Sequence, residues 1–160
     1  MPDVFKEPLT ERSRALLDWM KPAVKLTHDL QTIDNELHDL KRTGDEYDEA
    51  AADAIRLLKE RRREVFQALA WYRLQIMQII NATDFRQNLG HHIRERTATL
   101  MRRIAVDHFI RGMYITSVRG DFTIQNKYNL GTDNAKRLYR AAVNQMAEVW
   151  DGSTPTPPNK

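Results

Sequence analysis

Basic side chains that can bind phosphate recur at helical spacing in the second half of the chain. His92, Arg96, Thr99 and Arg103 follow one another at intervals of four, three and four residues, so on a helix they share one face. Contacts to phosphates supply most of the non-specific affinity of proteins for nucleic acids. The pattern therefore predicts a nucleic-acid-binding face. The alternatives are a solvated face and a surface that docks on a neighbouring subunit.

A second basic set lies nearer the C-terminus, in a pattern similar in outline to a helix-turn-helix. A short predicted helix, a turn at Gly131 and a last helix follow one another there. The polar face of the last helix offers side chains that suit phosphates and base edges. These are Lys136, Arg137, Arg140 and Asn144. The apolar residues do not fall where a helix-turn-helix needs them, so a plain helical corner with a solvated face is the alternative.

Two arginines stand at a fixed distance from histidines. Arg86 precedes His91 by five residues, and Arg103 precedes His108 by five. This spacing resembles the Arg–His element of HEPN ribonucleases, which are all-α dimers of similar size. The resemblance implies a histidine acting as general acid and base on the RNA 2′-hydroxyl, and an arginine stabilising phosphate charge. In a chain with many arginines a non-enzymatic protein is favoured, and the ribonuclease is the third alternative.

The sequence predicts neither a metal site nor a cofactor. It contains no cysteine. The adjacent His91 and His92 would project about 100° apart on a helix, which does not suit a single ion. No glycine-rich phosphate loop is found in the sequence either.

The positions of proline and glycine predict an all-α fold. No proline falls between residues 23 and 154, and the six glycines are spaced like breaks between helices. We expect helices over about 10–20, 22–43, 46–80, 84–103 and beyond, 121–129 and 134–150, with a break between about 107 and 120. The last helix is expected to bury one face. That face comprises Ala135, Leu138, Ala142, Met146 and Val149.

An apolar heptad seam in the second predicted helix indicates a helical hairpin that self-associates. The predicted oligomerisation residues are Leu26, Leu30, Ile33, Leu37 and Leu40. The third helix is expected to be the longest, to pack antiparallel on the second with its first half, and to extend beyond it. Its second half is apolar on nearly every side, which predicts burial among other helices.

Charge and composition divide the chain. Residues 1–60 hold nine Lys and Arg and fourteen Asp and Glu, whereas residues 61–160 hold sixteen and eight. We therefore predict N-terminal helices with an oligomerisation hairpin over 1–82, a basic nucleic-acid-binding region over 83–152 and a disordered tail over 153–160. With no signal segment and no long apolar run, we expect no membrane partner. The expected location is the cytoplasm or the inside of a virus or phage particle.

Together these patterns predict a non-enzymatic nucleic-acid-binding protein that forms homo-oligomers through its N-terminal hairpin. Packaging or gene regulation in a phage or mobile element would suit this division of labour. The alternative is a structural subunit of a ring or filament, in which the acidic half of one copy meets the basic half of the next.

Overall fold

A computed structural model describes residues 5–43, 48–87, 89–90, 94–116 and 122–158. Within these ranges the chain forms helices and no strands, which confirms the all-α prediction. The elements are α1 (Glu11–Thr43), α2 (Glu49–Ala82), α3 (Arg94–Ala105), a π-helical turn (Val106–Ile110), α4 (Ile124–Lys127) and α5 (Thr132–Val149). Of the helices in these ranges, none has the length and apolar run that crossing a bilayer requires.

The first helix continues through Pro22, where two separate helices were predicted. A proline inside a helix removes one backbone hydrogen bond and costs about 3 kcal/mol. On either side of it, however, Leu16, Met20 and Ala23 are fully buried in the same core cluster. Burial on both sides offsets the cost of the proline, so the predicted helix boundary was wrong.

Helices α1 and α2 form the largest contact in the fold, with later residues of α1 facing earlier residues of α2. The ring centroids of Trp19 and Tyr72 lie 6.1 Å apart, and further along α1 the side chain of Asp34 accepts a 2.6 Å hydrogen bond from Arg62. Because α1 has 33 residues and α2 has 34, the predicted extension of the longer helix beyond its partner is not found. Residues 11–20, which were predicted to form a separate first helix, belong to α1 and make it as long as α2.

The second half of α2 buries one side only, although it is apolar on nearly every side. Leu69, Ile76 and Ile80 are fully buried. By contrast, Phe66 and Leu74 are 48% and 58% exposed. The prediction of burial all round was wrong, because the remaining helices cover α2 on its core side and leave the other side open.

The described part of segment 83–90 is not helical, whereas a helix was predicted from Asp84. The carboxylate of Asp84 accepts hydrogen bonds from the backbone N–H and the guanidinium of Arg86. Such local bonds compete with helix formation. Phe85 and Leu89 are nevertheless buried, as their apolar character predicted.

The C-terminal end of the chain differs from its prediction at two points. Val149, expected on the buried face of the last helix, is 44% exposed. The tail, expected to be disordered and unable to pack, lies against the helices. The indole N–H of Trp19 donates to the carbonyl of Pro155 at 2.8 Å, and that of Trp150 donates to Ser153 at 3.0 Å. Prolines lack an N–H, but their carbonyls still accept hydrogen bonds.

Candidate nucleic-acid interface

A cleft rich in cations lies between α3, the π-helical turn and α4. One cavity, of about 340 Å³, is lined by Arg102, Arg103, Val106, Asp107, Arg111, Lys127 and Tyr128. A second, of about 420 Å³, is lined by Glu95, Arg96, Thr99, Leu100, Arg103 and Tyr128. Because the two cavities share Arg103 and Tyr128, we describe them together as the cationic cleft. Five cations and two carboxylates line it, so its net charge is positive.

Helix α3 places two of the predicted basic residues in the cleft. Its inner face buries Met101, Ile104 and Ala105, so Arg96 and Arg103 project from the opposite, exposed face. Neither arginine forms an ion pair or a hydrogen bond within the described part of the chain. Both guanidinium groups are therefore available to an external anion. His92, predicted to share this face, lies outside the described residues.

A buried carboxylate holds the other wall of the cleft in place. Asp107 is 2% exposed and accepts hydrogen bonds from Nζ of Lys127 at 3.0 and 3.2 Å, from the hydroxyl of Tyr128 at 2.6 Å and from Arg111 at 3.0 Å. The hydrogen bond to Asp107 raises the pKa of Lys127 above its ordinary value. Lys127 therefore remains a cation at neutral pH, fixed at the edge of the cleft.

The π-helical turn explains how Asp107 reaches the residues of α4. The N–H of Arg111 bonds to the carbonyl of Val106 at 3.1 Å, five residues back, which widens the last turn of the α3 segment. The N–H of Met113 then bonds to the carbonyl of Asp107 at 2.9 Å and turns the chain away. The helical segment therefore ends at Ile110, within the predicted break.

The second basic set is not gathered into the cleft. Lys136 and Arg137 are exposed on the first turns of α5, and Arg140 is half-buried, with an Nε atom that has no hydrogen-bond partner among the described residues. The preceding α4 has four residues, fewer than the predicted 121–129. A helix-turn-helix is therefore not confirmed by these elements.

Asn144, predicted to contact nucleic acid, faces the N-terminal segment instead. Its Oδ1 accepts from the hydroxyl of Ser13 at 2.6 Å and from the N–H of Thr10 at 3.2 Å, and its Nδ2 donates to the carbonyl of Pro8 at 3.1 Å. The beginning of α1 and the segment before it therefore engage the polar groups of Asn144, and a contact of this residue with nucleic acid stays a prediction. Helical spacing alone does not show that a segment distant in sequence packs against a residue.

Replacing Asn144 by Ala is therefore expected to affect stability rather than binding. It should lower the free energy of unfolding by about 1–2 kcal/mol, because it leaves partly buried polar groups unpaired. Denaturant unfolding measures the loss, and Asn134→Ala, at an exposed position of the same helix, is the matched control. A loss of nucleic-acid affinity with unchanged stability would contradict this assignment.

The Arg–His pairs are not assembled into a site within the described residues. His108 is packed against Phe109 and Tyr139, and its Nδ1 donates to the carbonyl of Met113 at 2.7 Å. Burial lowers the pKa of His108, which favours the neutral ring. Arg103 lines the cleft, but His108 does not. His91 lies outside the described residues.

Four of the five predicted oligomerisation residues pack in a cluster with α2 of the same chain. Ile33 and Leu37 are buried against Val65, and Leu26 and Leu30 pack on the same cluster. Leu40 is half-buried. A second copy would have to displace α2 to reach Ile33 and Leu37, so self-association through this seam stays a prediction.

Sequence reasoning identified Arg96 and Arg103 but missed Arg102, Asp107, Arg111 and Lys127. All four belong to the basic segment. Asp107 and Arg111 stand four residues apart, a helical spacing that could have linked them to Arg103, whereas Lys127 lies 20 residues after Asp107 and joins them only through the fold. Across the described ranges, no group of three His, Asp or Glu side chains is placed to hold a metal ion. Comparison of the chain with protein-family models, with curated proteins and with solved structures finds no match.

Proposed function

We propose that this protein binds nucleic acid through the cationic cleft, as a binding protein and not as an enzyme. One observation carries the proposal. Arg96 and Arg103, on one exposed face of α3, have no partner among the described residues and stand beside cations that Asp107 holds in place. A planar guanidinium binds phosphate oxygens through two parallel hydrogen bonds, which makes arginine well suited to this ligand.

The dimensions of the cleft suit a phosphate backbone. At about 1.5 Å per residue, the separation of seven positions between Arg96 and Arg103 places the two residues about 10 Å apart along α3. This separation lets them bind different phosphates of one strand. Nζ of Lys127 lies 5.3 Å from the ring centroid of Tyr128, so the protein's own cation already occupies one face of this ring. Contacts to phosphate are therefore favoured over base stacking, and we expect little sequence preference.

The test is a titration of fluorescent single-stranded and duplex oligonucleotides, followed by anisotropy over a range of salt concentrations. The variant Arg96→Ala/Arg103→Ala should bind about tenfold or more weakly at low salt. Its plot of log affinity against log salt should be flatter by about two units, one for each lost phosphate contact. Arg61→Ala/Arg63→Ala is the matched control, because it removes the same charge from an exposed stretch of α2 outside the cleft.

The results for these variants show which surface of the protein binds nucleic acid. Equal weakening by the α3 variant and the α2 control would show that net charge alone drives binding, and it would contradict a role for the cleft. Greater weakening by Lys136→Ala/Arg137→Ala would move the interface to α5. Absence of binding at low salt, with loss of assembly in the α3 variant, would favour the structural subunit over a nucleic-acid-binding protein.

A further inference from the structure

All three tryptophans of the chain lie along the course of the C-terminal tail. Trp150 and Trp19 donate indole hydrogen bonds to the carbonyls of Ser153 and Pro155. Trp71 lines a cavity together with Pro157 and Pro158. The rings of Trp19 and Trp71 meet edge to face at a centroid distance of 6.5 Å. We name this surface, formed by the three tryptophans, the indole groove.

The chemistry of the indole groove matches that of an extended proline-containing peptide. Such a segment forms no internal hydrogen bonds, so its carbonyls are free to accept from indole N–H groups. Aromatic grooves bind these peptides because the stiff proline backbone loses little entropy on binding. The tail, Ser-Thr-Pro-Thr-Pro-Pro over residues 153–158, carries three prolines in six positions.

The tail leaves much of the groove open. A cavity of about 480 Å³ remains between the ring of Trp71 and the last two prolines. Another, of about 190 Å³, remains between Trp19 and Trp150. Residues 153–156 are themselves exposed, so the tail lies in the groove without being enclosed. A ligand with larger side chains would gain contacts there that the tail does not make.

We infer that the indole groove is a binding site for proline-containing extended peptides, which the tail occupies as a tethered ligand until a partner protein's segment replaces it. A partner's segment is favoured over the tail of a second copy, because an identical tail would leave the same cavities open. This inference does not rest on nucleic-acid binding, since the cationic cleft is built from other elements.

Because the tail is covalently attached, a partner's peptide must compete with it for the indole groove. The tail follows Gly152, whose φ of +84° turns the chain, and Asp151 fixes the turn by accepting from the N–H and hydroxyl of Ser153. A ligand on so short a link competes at an effective concentration of about 1 mM. The groove of the intact chain should therefore bind an external peptide weakly, and weakening the tail should reveal its full affinity.

The experiment adds a synthetic peptide with the sequence of residues 153–158 to the full-length chain and follows tryptophan fluorescence. In the variant Pro157→Gly/Pro158→Gly the tail should be released more often, so the peptide should bind about tenfold more tightly than to the parent. Thr154→Ala is the matched control, because the Thr154 side chain is exposed and forms no hydrogen bond within the described residues, and it should bind as the parent does.

Two further measurements test whether the peptide binds in the indole groove. A scrambled peptide of the same composition should bind more weakly, and Trp19→Phe in the tail-weakened chain should abolish the gain, because it removes the indole N–H. No binding to the tail-weakened chain at millimolar peptide would overturn the inference, as would equal binding to parent and variant. Concentration-dependent dimers that the peptide dissolves would also overturn it, since they would make the second copy's tail the ligand.

Discussion

Replacing Asp107 by Ala should lower the free energy of unfolding by about 3 kcal/mol, the lower end of the cost of breaking a buried ion pair. The carboxylate is 2% exposed and accepts from three side chains, Lys127, Tyr128 and Arg111. In the variant these donors lose their common acceptor. The expected loss stays at the lower end because Lys127 and Arg111 keep 29% and 62% of their side-chain surface exposed, so both cations can turn towards water.

Denaturant unfolding followed by circular dichroism measures this loss. Asp39→Ala is the matched control: Asp39 is exposed on α1, and its carboxylate forms no ion pair or hydrogen bond within the described residues. It should change the free energy of unfolding by less than about 0.5 kcal/mol. A loss at Asp107 no larger than that at Asp39 would show that the carboxylate does not hold α4 against the π-helical turn.

The position of Asp107 illustrates what the sequence could not predict. Lys127 and Tyr128 stand 20 and 21 residues after it, and they reach it only because the chain returns to the π-helical turn through α4. No periodic pattern links positions so far apart. By contrast, Arg96 and Arg103 lie in one helix, where the spacing alone places them on one face. The part of the candidate site that depends on spacing within α3 was therefore predictable, and the part that depends on tertiary contacts was not.

The helices show the same division between local and tertiary causes. Burial of Ile33 and Leu37 followed from apolar spacing, because α1 presents one face to α2. At Pro22 the local rule predicted a boundary, but core packing on both sides carried the helix through. At Asp84 the apolar spacing predicted a helix, but the side-chain bonds to Arg86 favoured a turn. At Pro22 tertiary packing outweighed the local preference of proline, and at Asp84 local hydrogen bonds outweighed the apolar spacing.

Gly112→Ala should also lower the free energy of unfolding by about 3 kcal/mol, because two costs add. Gly112 has a φ of +72°, a conformation that costs other residues about 1–2 kcal/mol. A Cβ placed there would lie 2.6 Å from Cγ2 and 2.9 Å from Cβ of Thr27. Overpacking of this kind costs about 1–3 kcal/mol.

Neither side of this contact can move freely. The hydroxyl of Thr27 donates to the carbonyl of Ala23 at 2.9 Å, which fixes its rotamer. The carbonyl of Gly112 accepts from Nε2 of His28 at 2.7 Å, which holds the loop on α1. Because the same loop continues the π-helical turn, the close approach at Gly112 also fixes the position of the cleft relative to the core.

Thermal and denaturant unfolding test this prediction with two comparisons. Gly90→Ala is the matched control, because a Cβ there would meet nothing within 4 Å among the described residues and the backbone is not left-handed. It should change the free energy of unfolding by less than about 0.5 kcal/mol. Thr27→Ser removes the nearer of the two clashing atoms and keeps the hydroxyl, so adding it to Gly112→Ala should recover part of the loss. If the double variant is as unstable as Gly112→Ala, the cost comes from the backbone conformation and not from the contact with Thr27.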